Sequence, residues 1–136
     1  MAGYSETPLV KKLGIKEGQL VRFINPPAQL TAWLGNLPEI KMTTRQPYDF
    51  VLLFINETSL LEEWLVKLRQ QISQSGMIWV AWYKKSSKKP TEITEDTIRD
   101  TALPLGLVDV KVCAVSDEWS GLKLVIRVTE RKSVQK

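Results

Sequence analysis

YDFVLLFI at residues 48–55 and GMIWVAW at residues 76–82 are the two stretches that decide the fold. Each contains a continuous apolar run, without the alternation of a half-exposed strand, and such runs are typical of parallel strands covered on both faces. Residues 48–83 therefore predict a strand, a helix and a second strand joined by a right-handed crossover. We expect strands 50–55 and 77–82 to be parallel neighbours, nearly fully buried, at the sheet centre.

The helix of this crossover is the best-defined helix in the sequence. Its apolar positions recur at helical spacing and are Leu61, Trp64, Leu65, Leu68 and Ile72. Ser59 and Glu62 have the spacing of a capping box, which predicts that the helix begins at Ser59. Ser75 and Gly76 follow the apolar positions and are expected to end it.

A strand and a helix are predicted before this unit. QLVRFIN at residues 19–25 is rich in strand-forming residues and stops at Pro26-Pro27, because proline cannot donate to a sheet ladder. A helix is expected from about Ala28, with three apolar residues on one side: Leu30, Trp33 and Leu34. Residues 39–43 predict a short strand.

The C-terminal third predicts a helix followed by a hairpin. Thr94 can cap the helix, with Glu95 and Asp96 near its positive end. Residues 107–115 and 122–129 alternate, and the six residues between them are too few for a helical crossover, so we expect an antiparallel hairpin at the sheet edge. The expected apolar faces are Val108, Val110 and Val112 on one strand and Leu122, Leu124, Ile126 and Val128 on the other.

Composition indicates one globular domain, for which we expect the bounds 1–130, with a basic tail at 131–136. The chain has 136 residues, of which 43% are apolar and 25% charged. The domain is expected to open with a short helix, capped by Thr7, with Pro8 at its first position and Gly14 at its end.

The residue inventory excludes several kinds of chemistry. The chain has no histidine and only Cys113, which excludes an internal disulfide, a tetrahedral zinc site and histidine-dependent catalysis. No apolar run is long enough to cross a bilayer and residues 1–9 lack a signal-peptide pattern, so we expect a cytoplasmic protein without membrane association. The net charge of +4 is mild and favours solubility as much as an anionic partner.

The order of elements resembles a reduced class I methyltransferase variant of the Rossmann fold, a three-layer α/β sandwich whose mostly parallel sheet ends in an antiparallel hairpin. Three segments are similar to a family of small bacterial proteins of unknown function: GYSETPLVKKLGI at 3–15, WVAWYKKSS at 79–87 and GLVDVKVCAVSDEWSGLKLV at 106–125. That resemblance implies no established activity. The sequence departs from the family pattern at Tyr83, where proline is expected.

The methyltransferase motifs themselves are replaced. S-adenosylmethionine requires a glycine-rich turn after the first strand and an acidic residue at the end of the second. Here the first turn is Asn25-Pro26-Pro27-Ala28, and residues 39–47 supply Glu39 but no acid at a strand end. We therefore interpret the chain as a binding or regulatory module with no catalytic residue and no cofactor. A methyltransferase dependent on S-adenosylmethionine is the alternative.

Ligands of open α/β sheets bind beyond the carboxyl ends of the parallel strands. The candidate ligand-binding residues there are Asn25, Asn56, Trp82, Lys84, Lys85, Ser86, Ser87 and Trp119. The lysines predict a site for a small anion or phosphate, with the serines as donors, although a solvated lysine loop has the same pattern. The asparagines are equally typical of turns. Trp119, in the connection SDEWSG, either stacks on a ligand or folds over the sheet edge.

Nucleic-acid binding is a further alternative. Basic residues cluster at 84–89 and 127–136, and the isoelectric point is near 9.2. The chain nevertheless has no recognisable nucleic-acid-reading module, and its fifteen acidic residues are mixed through the sequence. Its partner is therefore not identified by composition.

The turn at residues 25–28 generates a prediction about the cofactor. We expect calorimetry to detect no micromolar binding of S-adenosylmethionine to the purified protein, because two prolines remove backbone donors that the cofactor needs. Micromolar binding would contradict this interpretation, and with it the assignment of the chain as a binding module rather than an enzyme.

Overall fold

A computed structural model of the chain describes residues 7–131. They contain one sheet with the strand order β2-β1-β3-β4-β6-β5. The strands are β1 Leu20–Ile24, β2 Lys41–Met42, β3 Tyr48–Phe54, β4 Ile72–Tyr83, β5 Leu107–Ala114 and β6 Trp119–Ile126. β1 pairs in parallel with β2 and β3, and β3 in parallel with β4, whereas β6 is antiparallel to both β4 and β5. The mostly parallel α/β sheet with a terminal antiparallel hairpin is confirmed.

Helices cover both faces of the sheet. They are α1 Leu9–Leu13, α2 Leu30–Leu34, α3 Thr58–Gln71 and α4 Glu95–Ala102, with short 3-10 turns at Lys85–Ser87, Leu103–Leu105 and Val128–Glu130. One core cluster lies between the sheet and α3 with α4, and a second between the sheet and α1 with α2. Three layers result, as expected. Residues 132–136 of the predicted basic tail and residues 3–6 of the first family-like segment lie outside the described residues.

The two central strands are parallel and buried, as their apolar runs predict. Val51 pairs with Ile78 and Leu53 with Val80, and each of these four side chains is fully buried. Successive residues along each strand enter opposite core clusters. This pair of strands therefore supplies the interior of both layers.

The first helix is fastened to this centre by one buried hydrogen bond. Trp79 Nε1 donates to the main-chain carbonyl of Leu13 at 2.7 Å, and both residues are fully buried. Gly14 follows in the left-handed conformation, with φ 87°, and ends α1 as expected. Pro8 is the N-cap of this helix rather than its first residue.

The predicted capping box of α3 is wrong. The helix begins at Thr58, so Ser59 lies inside its first turn and no side chain of the N-cap residue bonds to it. Glu92, from the segment before α4, accepts hydrogen bonds from Thr58 N at 2.9 Å and Thr58 Oγ1 at 3.1 Å. A tertiary contact thus satisfies the helix end that a local capping box was expected to satisfy.

The predicted end of α3 is also wrong. The helix stops at Gln71 and β4 begins at once with Ile72. The ladder to β3 is irregular here, because Tyr48 pairs with Ile72 and Phe50 with Met77. Gly76 lies in this bulge, where a Cβ atom would come within 2.9 Å of the Tyr48 carbonyl oxygen. The glycine allows a close backbone approach rather than ending a helix.

The apolar face predicted for β5 is interrupted by a β-bulge. Asp109 pairs with Leu124 and Lys111 with Lys123, which leaves Val110 as the extra residue, 54% exposed. The bulge puts Val108 and Val112 on opposite faces, since it shifts the alternation by one. On β6 the predicted face of Leu122, Leu124 and Ile126 is buried, whereas Val128 lies beyond the strand and is exposed.

The predicted start of α4 agrees with the structure, since Thr94 Oγ1 accepts the Thr97 N–H at 3.1 Å. None of the helices within residues 7–131 has both the length and the apolar character needed to span a bilayer.

The bond between Trp79 and Leu13 generates a prediction about stability. Replacing Trp79 with phenylalanine removes the indole N–H that donates to the buried Leu13 carbonyl, and an unpaired buried carbonyl costs about 1–3 kcal/mol. Urea unfolding is expected to show at least this loss, increased by the space that the smaller ring leaves. The matched control is Trp64→Phe, at a half-buried indole that forms no hydrogen bond within residues 7–131. Equal losses from the two variants would contradict the role of this bond.

Candidate ligand-binding crevice

The candidate site lies where the chain changes direction across the sheet. From β1 the chain passes to β2 on one side, and then returns to form β3 on the other side of β1. Connections that diverge in this way leave an opening beyond the carboxyl ends of the two strands, where open α/β sheets bind ligands. In this chain the opening lies beyond Ile24 and Phe54, next to the end of β4 at Tyr83.

Two asparagines hold the strand ends together around this opening. Asn25 has φ 55°, in the left-handed region, and its Nδ2 donates to the Phe54 carbonyl at 3.4 Å. Asn56 Oδ1 accepts the Tyr83 N–H at 2.9 Å, while the Asn56 carbonyl accepts the N–H of Glu92 at 2.9 Å. Both predicted residues therefore link neighbouring strands.

The opening contains two adjoining cavities, which we call together the strand-end crevice. The first measures about 440 Å³ and is lined by Pro27, Gln29, Trp33, Tyr83, Lys89, Ser116, Asp117, Glu118 and Trp119. The second measures about 350 Å³ and is lined by Asn25, Pro27, Phe54, Ile55, Asn56, Glu57, Leu60, Tyr83 and Trp119. Pro27, Tyr83 and Trp119 line both cavities, so the two cavities adjoin each other at these three side chains.

Aromatic rings form much of its wall. Trp119 packs edge-on against Phe54, with ring centroids 4.9 Å apart, and lies 4.3 Å from the Tyr83 ring at an angle of 41°. Trp33, a half-buried residue of α2, lines the first cavity with them. Flat apolar walls of this kind suit a planar or alkylated ligand.

Trp119 occupies a different position from the one predicted. It is the first residue of β6 rather than part of the hairpin connection, and it is only 8% exposed. The connection, residues 115–118, is shorter than expected because β6 begins three residues before the predicted position 122. Trp119 packs against the Phe54 and Tyr83 rings and at the same time lines the crevice.

One ion pair lies at the rim. Lys89 Nζ is 2.8 Å from Glu118 Oε1 and 5.3 Å from the centroid of the Tyr83 ring. The hydrogen bond to Glu118 raises the pKa of Lys89 above its ordinary value. A backbone hydrogen bond also joins the loop after β4 to the connection between β5 and β6, because Lys84 N donates to the Glu118 carbonyl at 2.9 Å.

The structure divides the predicted site residues into two groups. Asn25, Asn56 and Trp119 line the crevice. Five others do not: Trp82 is buried in the core beneath α3 and α4, and Lys84, Lys85, Ser86 and Ser87 lie in the neighbouring loop. Trp82 does not face the crevice, because successive side chains of β4 face opposite layers and Trp82 faces the layer formed by α3 and α4. Ser87 Oγ is already used, donating to the Lys84 carbonyl at 2.7 Å.

Sequence reasoning missed most of the crevice wall. The missed residues are Gln29, Trp33, Tyr83, Lys89, Asp117 and Glu118. Trp33 lies on an apolar helical stripe, which is typical of a core residue, yet it is only half-buried. Tyr83 could have been predicted from the sequence, because it is an aromatic residue at the carboxyl end of a buried parallel strand, and open α/β sheets bind ligands beyond such ends.

S-adenosylmethionine does not fit the residues found here. The turn after β1 contains Pro26 and Pro27, which have no backbone N–H to offer, and Pro27 itself lines both cavities. β2 ends at Met42 and is followed by Thr43, so no carboxylate stands at the strand end that would hold the ribose. The two features that a methyltransferase requires are absent from the described crevice.

Metal and thiol chemistry find no support in the described part of the chain. No cluster of three or more potential metal-ligating side chains occurs within residues 7–131. Cys113 is half-buried, and burial raises the pKa of its thiol, which disfavours the reactive thiolate.

Residues 37–128 match the model of a family described as "Protein of unknown function (DUF3052)". None of the curated protein sequences matches the chain.

Several solved structures with a similar fold are described as methyltransferases or contain S-adenosylmethionine. A putative type 11 methyltransferase from Sulfolobus solfataricus aligns with a TM-score of 0.64 and 12% identity, over 94% of this chain and 95% of that one. A SAM-dependent methyltransferase from Aquifex aeolicus gives 0.59 and 15%, over 87% of each chain. Aeropyrum pernix fibrillarin, determined with natively bound S-adenosyl-L-methionine, gives 0.58 and 14%, over 90% and 70%. At such low identity the similarity shows the methyltransferase-like fold alone.

The Lys89–Glu118 pair generates a prediction about pH. Since the pKa of Lys89 is raised in the folded protein, the pair stabilises the fold at neutral pH, and this contribution is lost as the pH rises through the raised value. Replacing Glu118 with glutamine is expected to lower the Lys89 titration midpoint, measured from its side-chain carbon resonances. Asp117→Asn is the control, because Asp117 forms no ion pair within residues 7–131 and its loss should lower the midpoint less. Equal shifts would contradict a specific pair.

Proposed function

This chain belongs to the family described as proteins of unknown function (DUF3052), and we propose that it is a small-molecule-binding module whose ligand occupies the strand-end crevice. The observation that carries the proposal is the set of three aromatic side chains, Trp33, Tyr83 and Trp119, around an open cavity of about 440 Å³ at the topological switch point. Cavities of this size and composition are typical of small-molecule sites.

Position and preorganisation support the same function. The asparagine bonds to Phe54 and Tyr83 hold the strand ends in place, and Trp119 is supported from behind by the Phe54 ring. A wall built on strands loses little freedom when a ligand binds, and this increases affinity. The crevice is therefore better suited to binding than an opening between mobile loops.

Binding without methyl transfer is the part of the proposal that departs from the structural neighbours. Several neighbours are described as dependent on S-adenosylmethionine or with it bound, among them the Aquifex aeolicus methyltransferase and the Aeropyrum pernix fibrillarin. Here Pro26 and Pro27 replace the turn that such a cofactor needs, so we propose that the fold is kept while its cofactor site has been remodelled.

A second candidate is the anion site first expected from the lysine loop. This loop contains a 3-10 turn at Lys85–Ser87. Three of its lysines form no ion pair within residues 7–131: Lys84, Lys85 and Lys88. An exposed group of cations of this kind attracts phosphate or the backbone of a nucleic acid. It lies beside the crevice, and the same experiment distinguishes the two sites.

The test is protein-observed nuclear magnetic resonance with a library of small aromatic compounds, inorganic phosphate and a short single-stranded oligonucleotide as probes. We expect aromatic compounds to shift the indole N–H signals of Trp33 and Trp119 and the amide of Tyr83. Trp79 should not respond, because it is fully buried. Phosphate or oligonucleotide shifts at residues 84–88, lost in the Lys84→Ala/Lys85→Ala double variant, would instead support the lysine loop.

Trp33→Ala provides the functional variant and Trp64→Ala the matched control, since both remove a half-buried indole from one face of a helix. Loss of aromatic binding in the first alone supports the proposal. Aromatic compounds that bind only in the groove between α3 and α4, near Thr58 and Asp100, would refute it.

A further inference from the structure

We infer that the ligand of the strand-end crevice is a small organic cation, of the alkylated ammonium class. This inference rests on the proposed function, because it assigns a chemical class to the ligand of the same crevice. It differs from the anionic ligand first expected at this end of the sheet, and it follows from the charges and rings that the fold actually brings together.

The first argument is that the crevice already holds a cation belonging to the chain itself. The Lys89 ammonium lies 5.3 Å from the Tyr83 ring centroid and 2.8 Å from a Glu118 carboxylate oxygen. An aromatic face with an adjacent carboxylate is the arrangement by which proteins recognise alkylated ammonium groups. The contacts of Lys89 therefore indicate that the Tyr83 ring and the Glu118 carboxylate can bind an ammonium group.

The second argument is that this internal cation does not use all of the site. Asp117 lines the same cavity, is exposed, and forms no ion pair within residues 7–131. Trp33 also lines the cavity and has no cation partner among the described residues. A ring and a carboxylate therefore remain for a second cation, in a cavity of about 440 Å³.

The balance of charge favours the same class of ligand. The first cavity is lined by two carboxylates, Asp117 and Glu118, against the single ammonium of Lys89. The adjoining cavity adds the carboxylate of Glu57 and no basic residue. An anion inside the crevice would face this net negative charge, whereas a cation is attracted by it and by the negative faces of the rings.

Lys89 has a second consequence, because it competes with an external cation for Tyr83 and Glu118. Removing the lysine without disturbing the rings should therefore increase the affinity for an organic cation. Lys89→Met keeps a flexible side chain of similar length but no charge, and Lys89→Arg keeps the charge. A residue that simply contacted the ligand would show the opposite pattern.

The probe is choline, compared with its neutral isostere dimethylbutanol, in which a quaternary carbon replaces the nitrogen. Chemical-shift titration of the intact protein should show choline binding at Trp33, Tyr83 and Trp119, at least about threefold more tightly than dimethylbutanol. Choline binding should weaken as salt rises, since ions screen exposed charges over about 10 Å at 0.1 M.

Four variants test the residues that carry the inference. Asp117→Asn should weaken choline binding about threefold, whereas Asp100→Asn, at an exposed carboxylate on α4, should leave it unchanged. Lys89→Met should tighten binding by a similar factor, and Lys89→Arg should not. The amide spectrum of each variant shows directly whether it remains folded.

The outcomes separate this inference from the proposed function. If dimethylbutanol binds in the crevice as tightly as choline, or if Lys89→Met weakens choline binding, the crevice binds ligands but not because of their charge, and the cation assignment is overturned. If neither probe nor any aromatic compound shifts the crevice residues, both the assignment and the proposed function fail. Choline shifts confined to residues outside the crevice would also overturn the assignment.

Discussion

Burial of β3 and β4 on both faces is the constraint on which the rest of the structure depends. Val51, Leu53, Ile78 and Val80 have no access to water, and their neighbours along each strand fill the opposite layer. Two central strands without a polar face require helices on both sides and leave only their ends open to solvent. The position of the crevice is thus a consequence of how the core is built.

The strand ends also explain which residues reach the crevice. Polar backbone groups become unpaired where a sheet stops, and here Asn25 and Asn56 pair with them and so draw β1, β3 and β4 together. Trp119 lies at this same edge, next to Tyr83, because β6 is antiparallel to β4 and therefore begins where β4 ends. The aromatic wall is formed by the topology rather than by any contiguous motif.

The central strands, α4 and the hairpin could be predicted because each has a local signature: an unbroken apolar run, a capping threonine or a short connection. The start of α3 could not, since its partner Glu92 lies 34 residues away from Thr58. The bulge at Val110 changes the register through pairing with β6, which alternation within β5 does not reveal. Likewise, the lysine run predicted positive charge near the crevice, whereas the crevice is lined by three carboxylates and four aromatic rings, and Lys89 is the one residue of that run that lines it.

A methyltransferase-like fold and a remodelled strand-end site are compatible, because the sheet fixes where a ligand binds while the turn residues determine which ligand it is. The central claim is that an organic cation lies between Trp33 and the Tyr83–Trp119 pair. Intermolecular nuclear Overhauser effects between the choline methyl protons and side-chain protons test it most directly. The account predicts contacts to the rings of Trp33 and Tyr83, whereas contacts to the Trp64 ring alone, or to no aromatic ring, would contradict it.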